Sequence, residues 1–191
     1  MSYPLHFCFN LWVNCMGFHG KGTKDIKKNP GGTGFQPVQA FQITRRNLPH
    51  WQEPGRVYFI TWRCKDGVVL NEKERTIALE AVRFWDTSKW IVYAAVILSD
   101  HVHLLSQPLP RGEGGFFDLS EIIHSVKSFS AQKISQRRGV KGAIWQDERY
   151  DRIVRDEVEF LEKWQYIRNN PLKEGLASQS EDYPWLYERG G

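Results

Sequence analysis

Two histidines, His101 and His103, stand one residue apart at the start of an apolar segment that continues through Leu104 and Leu105. Side chains alternate between the faces of a β-strand, so both imidazoles would lie on one face with their Cα atoms roughly 6–7 Å apart. Two imidazoles at that spacing can bind one metal ion. Two hydrogen-bonded and inert histidines would give the same pattern, since an isolated H-x-H motif is weak evidence. A metal site therefore requires a third ligand, and chemistry requires a reacting group.

Candidates for both requirements lie in residues 164–171. Acidic residues in the first turn and Pro171 at the end predict a helix over about 156–169. Tyr166 and Asn170 are four residues apart on this helix, one above the other. Tyr166 is a candidate nucleophile and Asn170 a candidate ligand. The alternatives are an ordinary surface tyrosine and an asparagine that ends the helix before a proline.

The packing stripe of the same helix does not include these two residues. Tyr166 and Asn170 lie roughly 120–160° from the centre of the stripe. The helix can therefore pack on a core with one face and present the tyrosine and the asparagine on another. At 100° per residue the apolar side chains fall within an arc of about 120°, and they are Phe160, Leu161, Trp164 and Ile167.

The elements that must position these residues predict an α+β fold. Strands are expected at about 56–64, 90–98 and 101–107, with helices at about 71–86 and 118–137. Two short strands at about 143–147 and 149–155 would lead into the tyrosine helix. The order β-α-β-β-α-β is the ferredoxin-like (split βαβ) arrangement, an antiparallel sheet with helices packed on it. The second helix could be capped by Asp118 or Ser120, and its apolar positions include Ile122, Ile123, Val126 and Phe129.

Composition indicates one domain of ordinary size plus an extension, in a chain of 191 residues that is 14% aromatic. The negative mean hydropathy, and the lack of any apolar stretch near the ~20 residues of a spanning helix, argue against a membrane protein. The three cysteines, Cys8, Cys15 and Cys64, form no metal-binding pattern. We therefore expect reduced thiols and a cytoplasmic protein.

The net charge of +4 is unevenly distributed along the chain. Residues 1–50 contain six Lys and Arg against one Asp, a net +5, which leaves 20 basic and 21 acidic side chains, a net −1, in the rest. Residues 1–43 also contain Gly- and Pro-rich segments that are typical of linkers. We expect them to form a flexible N-terminal extension to a domain at 44–191.

One stretch of that domain, from 124 to 155, is locally basic. Its side chains could neutralise DNA phosphates, a contribution that dominates nucleic-acid affinity, and a solvated basic helix end is an equal alternative. Trp145 and Tyr150 lie among these charges and could stack on unpaired bases. The candidate DNA-binding residues are Lys127, Arg137, Arg138, Lys141, Arg149, Arg152 and Arg155.

Six segments of the chain, within about residues 44–185, carry a resemblance to a known family. They are RRNLPHW (45–51), VYFITWR (57–63), LSDHVHLL (98–105), SVKSFSAQKI (125–134), IWQDERYDRIVRD (144–156) and YIRNNPLKEGL (166–176). In order and spacing they resemble the REP-associated tyrosine transposases, which belong to the HUH single-strand transposase superfamily. No single segment is decisive, but six in register are hard to produce by chance.

The resemblance implies an HUH endonuclease fold in which His101, His103 and Asn170 bind a divalent metal and Tyr166 attacks DNA. The chemistry suits these residue types, because a phenol can form a covalent phospho-enzyme and a metal ion lowers the cost of charge at the phosphorus. Two imidazoles and an amide oxygen suit Mg²⁺ or Mn²⁺, with Zn²⁺ as an alternative. The expected activity is nicking and strand transfer of single-stranded hairpin or palindromic repeat DNA through a 5′-phosphotyrosine, as in DNA transposition and recombination.

Two other functions stay open at this point. One is a domesticated protein that binds hairpin DNA and no longer cuts it, and the other is a Zn²⁺ hydrolase that uses the same histidines. Tyr150 is the rival nucleophile, but it lies in an expected strand without a companion ligand. We expect a cytoplasmic, nucleoid-associated protein that is a monomer or a homodimer.

Overall fold

The computed structural model describes residues 42–45, 49–112 and 114–190. Its helices are α1 (Glu72–Phe84), α2 (Leu119–Arg138) and α3 (Glu157–Lys173), with a short 3₁₀ helix at Ser180–Asp182. Its strands are β1 (Gln42–Arg45), β2 (Pro49–Gln52), β3 (Tyr58–Cys64), β4 (Trp90–Ile97), β5 (His101–Pro108), β6 (Trp145–Ile153) and β7 (Leu186–Glu188).

The last five strands form one antiparallel sheet in the order β6-β3-β5-β4-β7. The first four of these strands, with α1 and α2 between them, give the predicted β-α-β-β-α-β order, so the α+β, ferredoxin-like fold is confirmed. Strand β5, which carries both histidines, is paired on both sides. Strand β7 adds an edge that the sequence did not predict, and β1 and β2 pair as a separate hairpin.

Different helices cover the two faces of the sheet, and the alternation along β3 shows the division. Tyr58, Ile60 and Trp62 belong to the core beneath α1 and α2. Phe59, on the opposite face, belongs to a second core with Phe160 of α3. Each such buried side chain contributes about 1.5–3 kcal/mol relative to exposure. His103 is opposite Thr61 of β3, and Thr61 lies two residues from Phe59 and so on the same face. The histidines therefore lie on the face that α3 covers.

Helix α2 begins as predicted. The Asp118 carboxylate accepts hydrogen bonds from the backbone N–H of Ser120 (2.6 Å) and Glu121 (3.1 Å), so Asp118 is the N-cap. The apolar positions are only partly as predicted, because Phe129 is 48% exposed and its neighbour Ser130 is buried instead.

One continuous strand, β6, replaces the two short strands predicted for this region. Trp62 pairs with Arg149, whereas Cys64, two residues later, pairs with Trp145, four residues earlier, so β6 contains a bulge. The predicted break, at residue 148, falls within this bulge. The Lys127 amine on α2 donates to two backbone carbonyls of the bulge, at 2.7 and 3.1 Å, and this satisfies polar groups that the ladder leaves unpaired.

Helix α3 continues past Pro171, and the predicted stop at that residue is wrong. Pro171 lies in the last turn, two residues before the end of the helix, and its missing N–H removes one helical hydrogen bond. The helix ends instead through Gly175, whose φ of 66° is the left-handed conformation. The amides of Gly175 and Leu176 donate back to the carbonyls of Leu172 and Pro171, respectively. Asn170 therefore lies within the helix and does not end it.

The buried stripe of α3 is narrower than the sequence predicted. Phe160 and Ile167 are fully buried against the sheet and Trp164 is partly buried, as expected. Leu161 is 37% exposed and falls outside the stripe. Asn170, expected on the opposite side, is only 3% exposed.

The C-terminal segment ties α3 to the far edge of the sheet. Arg168 of α3 forms ion pairs with Glu181 of the 3₁₀ helix and Glu188 of β7. The Tyr183 hydroxyl donates a hydrogen bond of 2.9 Å to the backbone carbonyl of Ile97. The helix that carries Tyr166 is thus held by the last strand of the chain as well as by its own packing.

A buried ion pair joins α1 to the end of α2. Glu74 is 1% exposed, and its two carboxylate oxygens accept hydrogen bonds of 2.7 Å each from the Arg138 guanidinium. These hydrogen bonds hold the pKa of Glu74 below its ordinary value. The ion pair therefore stabilises the folded protein above the unfolded-state pKa of Glu74, about 4.3. This stabilisation is lost as the pH falls through the folded-state pKa of Glu74.

Replacing Arg138 by methionine is expected to destabilise the protein by about 3 kcal/mol at pH 7, because it leaves a buried carboxylate unpaired. The difference from the parent protein should shrink below about pH 4, where the carboxyl group is protonated. Urea unfolding at both pH values measures this. Arg137→Met, at an exposed neighbouring position, is the matched control and should be near neutral; an equal loss in both variants would contradict the role of the ion pair.

Residues 1–41 lie outside the described residues, and so do the predictions for Cys8, Cys15 and the flexible extension. Strand β1 begins at Gln42, so the predicted boundary at residues 43 and 44 falls within a strand, and the division into extension and domain stays a prediction. Cys64 is a buried free thiol. In the described ranges, no helix has the length and apolar character needed to cross a membrane.

Candidate active site

The two histidines lie side by side on β5, at the centre of the sheet. His103 is opposite Thr61 of β3 and His101 is opposite Arg63. Their ring centroids are 4.7 Å apart and their planes are nearly perpendicular. His101 is 9% exposed and His103 is 6% exposed. The predicted pairing of the two imidazoles on one face is therefore what the structure shows.

A neighbouring oxygen holds the Nδ1 atom of each imidazole. The Thr61 hydroxyl lies 2.7 Å from Nδ1 of His103, and a carboxylate oxygen of Asp100 lies 2.6 Å from Nδ1 of His101. If each Nδ1 carries the proton, both Nε2 lone pairs remain available. Such partners fix the tautomer and the orientation of metal-binding histidines.

The surroundings lower the pKa of two groups at the site, His103 and Asp100. Burial, followed by the neighbouring His101, lowers the pKa of His103 to about 3, so this imidazole is neutral at physiological pH, as a metal ligand must be. Partial burial opposes ionisation of Asp100, but the hydrogen bond with His101 and the charge of Arg63 outweigh it and lower the pKa of Asp100. A carboxylate is thus available to accept the Nδ1 proton of His101.

Tyr166 of α3 reaches the same place from the helix layer. Its hydroxyl lies 3.5 Å from Nε2 of His103, and its ring meets the rings of His103 and Phe59 edge-on, with centroids 5.1 and 5.8 Å apart. The Lys173 amine lies 4.7 Å from the centroid of the tyrosine ring. Tyr166 is 39% exposed, so its hydroxyl stands where the histidine pair meets solvent.

Asn170 lies one helical turn beyond Tyr166 and is buried. His103 lies against both His101 and Tyr166, whereas Asn170 is placed only by its burial and its position in α3. Among the described residues, its side-chain amide has no hydrogen-bond partner. The described residues also hold no group of three His, Cys, Asp or Glu side chains suited to a metal. A metal bound at the histidine pair would therefore need a donor of another kind, which an amide oxygen can be.

The two other aromatic candidates, Trp145 and Tyr150, differ in their exposure to solvent. Trp145 is 4% exposed, donates a hydrogen bond of 2.9 Å to Ser130 and packs edge-on against Trp62. It belongs to the core, and the prediction that it stacks on DNA bases is wrong. Tyr150 is 50% exposed on β6, across β3 from His103, and is not in contact with the histidine pair.

Most of the predicted DNA-binding side chains have partners within the protein. Lys127 and Arg138 make the contacts described above. Arg149 pairs with Asp151 and is 12% exposed, whereas Arg152 and Arg155 both pair with Glu159 and are 42% and 72% exposed. Arg137 and Lys141 are exposed. A DNA contact stays a prediction for all seven, and it fits the exposed ones better than Arg138 or Arg149.

Three neighbours of the site were not predicted. Asp100 was visible in the sequence only as part of a break between strands, although its position directly before His101 was a usable signal. Thr61 depends on the register of β3 against β5, which residue spacing does not give. Lys173 depends on the helix continuing past a proline.

Known proteins resemble this chain in part of its sequence and in its fold. No protein-family model matches the chain. A Haemophilus influenzae protein named as a REP-associated tyrosine transposase is 28% identical over 100 residues, a match that covers 48% of this chain and 55% of that protein. The match thus spans about half the length of the relative.

A solved structure of a REP-associated tyrosine transposase bound to a REP hairpin is 22% identical, has a TM-score of 0.57, and matches 74% of this chain and 82% of its own. That likeness establishes the fold. The resemblance to the REP-associated tyrosine transposases that the sequence motifs indicated is thereby confirmed.

Proposed function

We propose that this protein nicks and rejoins single-stranded DNA that contains a hairpin, through a covalent 5′-phosphotyrosine on Tyr166. The observation that carries the proposal is the contact of the Tyr166 hydroxyl with Nε2 of His103, beside a second imidazole whose Nε2 is also available. A nucleophile and two potential ligands from different elements thus meet at one solvent-accessible point. The solved relative that is bound to a REP hairpin supports hairpin DNA as the substrate class.

The donor set fits a divalent metal. His101 and His103 would supply Nε2 atoms, since Thr61 and Asp100 lie against the Nδ1 atoms, and Asn170 would supply its amide oxygen. Two neutral nitrogens and one oxygen leave positions for water and phosphate, which favours Mg²⁺ or Mn²⁺ over a closed structural zinc site. When bound, such an ion would polarise the scissile phosphate and stabilise the charge that develops there.

The covalent step balances without an added reactant. The Tyr166 oxygen forms a bond to phosphorus, the bond between phosphorus and the 3′ oxygen breaks, and the 3′ oxygen leaves as a hydroxyl. The phenol loses one proton and the leaving 3′ oxygen gains one, so the step consumes no proton overall. Because the phosphotyrosine conserves the bond energy, a 3′ hydroxyl can later reverse the attack and rejoin the strand. Among the tyrosines that the structure describes, Tyr166 alone lies against the histidine pair, which supports its choice as the nucleophile.

A labelled oligonucleotide that forms a hairpin with unpaired flanks tests the proposal. Incubation with Mg²⁺ or Mn²⁺ should give a nicked strand and a protein–DNA adduct that survives a denaturing gel, and a chelator should abolish both. Binding without nicking in either metal would favour the domesticated hairpin-binding protein. Turnover with Zn²⁺ that leaves no adduct would favour the hydrolase.

Removing the carboxylate of Asp100 is expected to weaken metal binding without removing a ligand. Asp100→Ala frees Nδ1 of His101, so the imidazole loses its fixed tautomer and orientation, and affinity for Mn²⁺ should fall about 10- to 100-fold. Titration calorimetry with Mn²⁺ measures this directly. Asp66→Ala, at an exposed position in the turn after β3, should bind like the parent protein. An unchanged affinity in Asp100→Ala would show that His101 is not a ligand or does not need this partner.

A further inference from the structure

The α3 face of the sheet is only partly covered by α3. Phe59 of β3 is 8% exposed beneath the helix. Two residues further along β3, Thr61 pairs with His103 on one side and with Tyr150 on the other. Directly opposed residues of an antiparallel sheet point to the same face. His103, Thr61 and Tyr150 therefore form one row across three strands, and the histidine site lies at one end of it.

The part of this face beyond the histidines is open to solvent. We define the open sheet face by Thr61, Arg63 and Tyr150. Tyr150 is 50% exposed, and the Arg63 side chain is 59% exposed, with one nitrogen 3.3 Å from a carboxylate oxygen of Asp100. Strand β6 is the edge of the sheet. A ligand at the histidine pair could thus continue across the sheet and leave over its edge.

Tyr150 has no partner of its own on this surface. In the part of the chain that the structure describes, its ring stacks on no other ring and its hydroxyl makes no hydrogen bond. The more exposed Phe84 differs, since it packs edge-on against Trp85 with centroids 4.6 Å apart. A half-exposed aromatic ring on a flat sheet, in the row of a candidate active site, has the form of a stacking platform.

We propose that Tyr150 stacks on an unpaired base beside the scissile phosphate, while Arg63 contacts a neighbouring backbone phosphate. This inference rests on the proposed function and names where the single strand lies. Neighbouring strands are about 4.8 Å apart, which puts the Cα atom of Tyr150 about 10 Å from that of His103. Base-on-aromatic stacking tolerates every base, and a guanidinium is well suited to phosphate. Unpaired DNA is therefore the occupant that both side chains fit.

The test compares two oligonucleotides, a hairpin with unpaired flanks and the same hairpin trimmed to its paired stem. Affinities are measured by fluorescence anisotropy in a Tyr166→Phe background that cannot form an adduct. Tyr150→Ala should weaken binding of the flanked hairpin roughly tenfold or more and leave binding of the trimmed hairpin unchanged. Tyr150→Phe should bind both like the parent protein. Phe84→Ala is the matched control and should change neither affinity.

A base analogue locates the contact. With 2-aminopurine at successive unpaired positions, fluorescence quenching should be greatest at one position and should disappear in Tyr150→Ala. Equal weakening on both oligonucleotides, or no weakening on either, would overturn the inference. So would a change of oligomeric state in Tyr150→Ala at unchanged DNA affinity, since the open sheet face would then bind protein. Flank-dependent binding without any nicking by the parent protein would leave this inference standing and remove the proposed function instead.

Discussion

Replacing Tyr166 by phenylalanine is expected to abolish the protein–DNA adduct and to lower the rate of nicking by at least about a thousandfold. Loss of a nucleophile removes the covalent path itself, and removal of a single nucleophile in other enzymes has effects of this size or larger. The substitution deletes one oxygen from a side chain that is 39% exposed. The fold should therefore be unchanged, and the affinity for a flanked hairpin should stay within about threefold of the parent value, since only one exposed hydroxyl is lost.

Tyr150→Phe provides the matched control, because it removes the same oxygen from the rival tyrosine on β6. It should retain the adduct and the nicking rate. Peptide mapping of the adduct by mass spectrometry should find the nucleotide on Tyr166. An adduct on Tyr150, or undiminished nicking in Tyr166→Phe, would show that the contact with His103 is not the reacting geometry.

Removing either imidazole is expected to have the second-largest effect. His103→Ala and His101→Ala each delete a proposed ligand, so binding of Mn²⁺ should be lost in calorimetry and nicking should fall about a hundredfold or more. Binding of the hairpin in the presence of chelator should change little, because most nucleic-acid affinity comes from phosphate contacts elsewhere. The two readouts together separate a ligand from a residue that merely supports the fold.

His124→Ala is the control for this pair, since His124 is exposed on α2. It should bind Mn²⁺ and nick like the parent protein. Both buried-histidine variants need a thermal melt, because His103 is 6% exposed and packs against Phe59 with ring centroids 5.6 Å apart. A folded His103→Ala protein that binds Mn²⁺ normally would contradict the proposed ligand set, whatever its activity.

Local patterns predicted the frame of the molecule well. The apolar segments gave β3, β4 and β5 to within about two residues, and H-x-H spacing placed both imidazoles on one face because the period of a strand is fixed. Residue type predicted a cap for α2 at Asp118 or Ser120, and the structure shows that it is Asp118. The family motifs then identified Tyr166 as the partner of the histidines, which spacing along the chain could not have done.

The failure at β6 depends on a contact between distant segments, whereas the failure at Pro171 depends on how the helix ends locally. The sequence predicted two short strands where the structure has one strand, β6, with a bulge that Lys127 of α2 supports. Pro171 did not end α3, because a glycine beyond it provides the end. The exposure of Leu161 and the burial of Asn170 differ from what the helical periodicity predicted. None of these contacts leaves a periodic signal in the sequence.

The ion pairs of Arg168 with Glu181 and Glu188 have a consequence for how the site can move. The two histidines lie on β5, which is paired with a strand on each side. Tyr166 lies on α3, which the Arg168 ion pairs hold to the β7 edge of the sheet. In the proposed reaction, exchanging one DNA end for another would require Tyr166 to move with the strand attached to it, while the histidines need not move. The ion pairs at the β7 edge would then limit how far the attached strand can move between cleavage and rejoining.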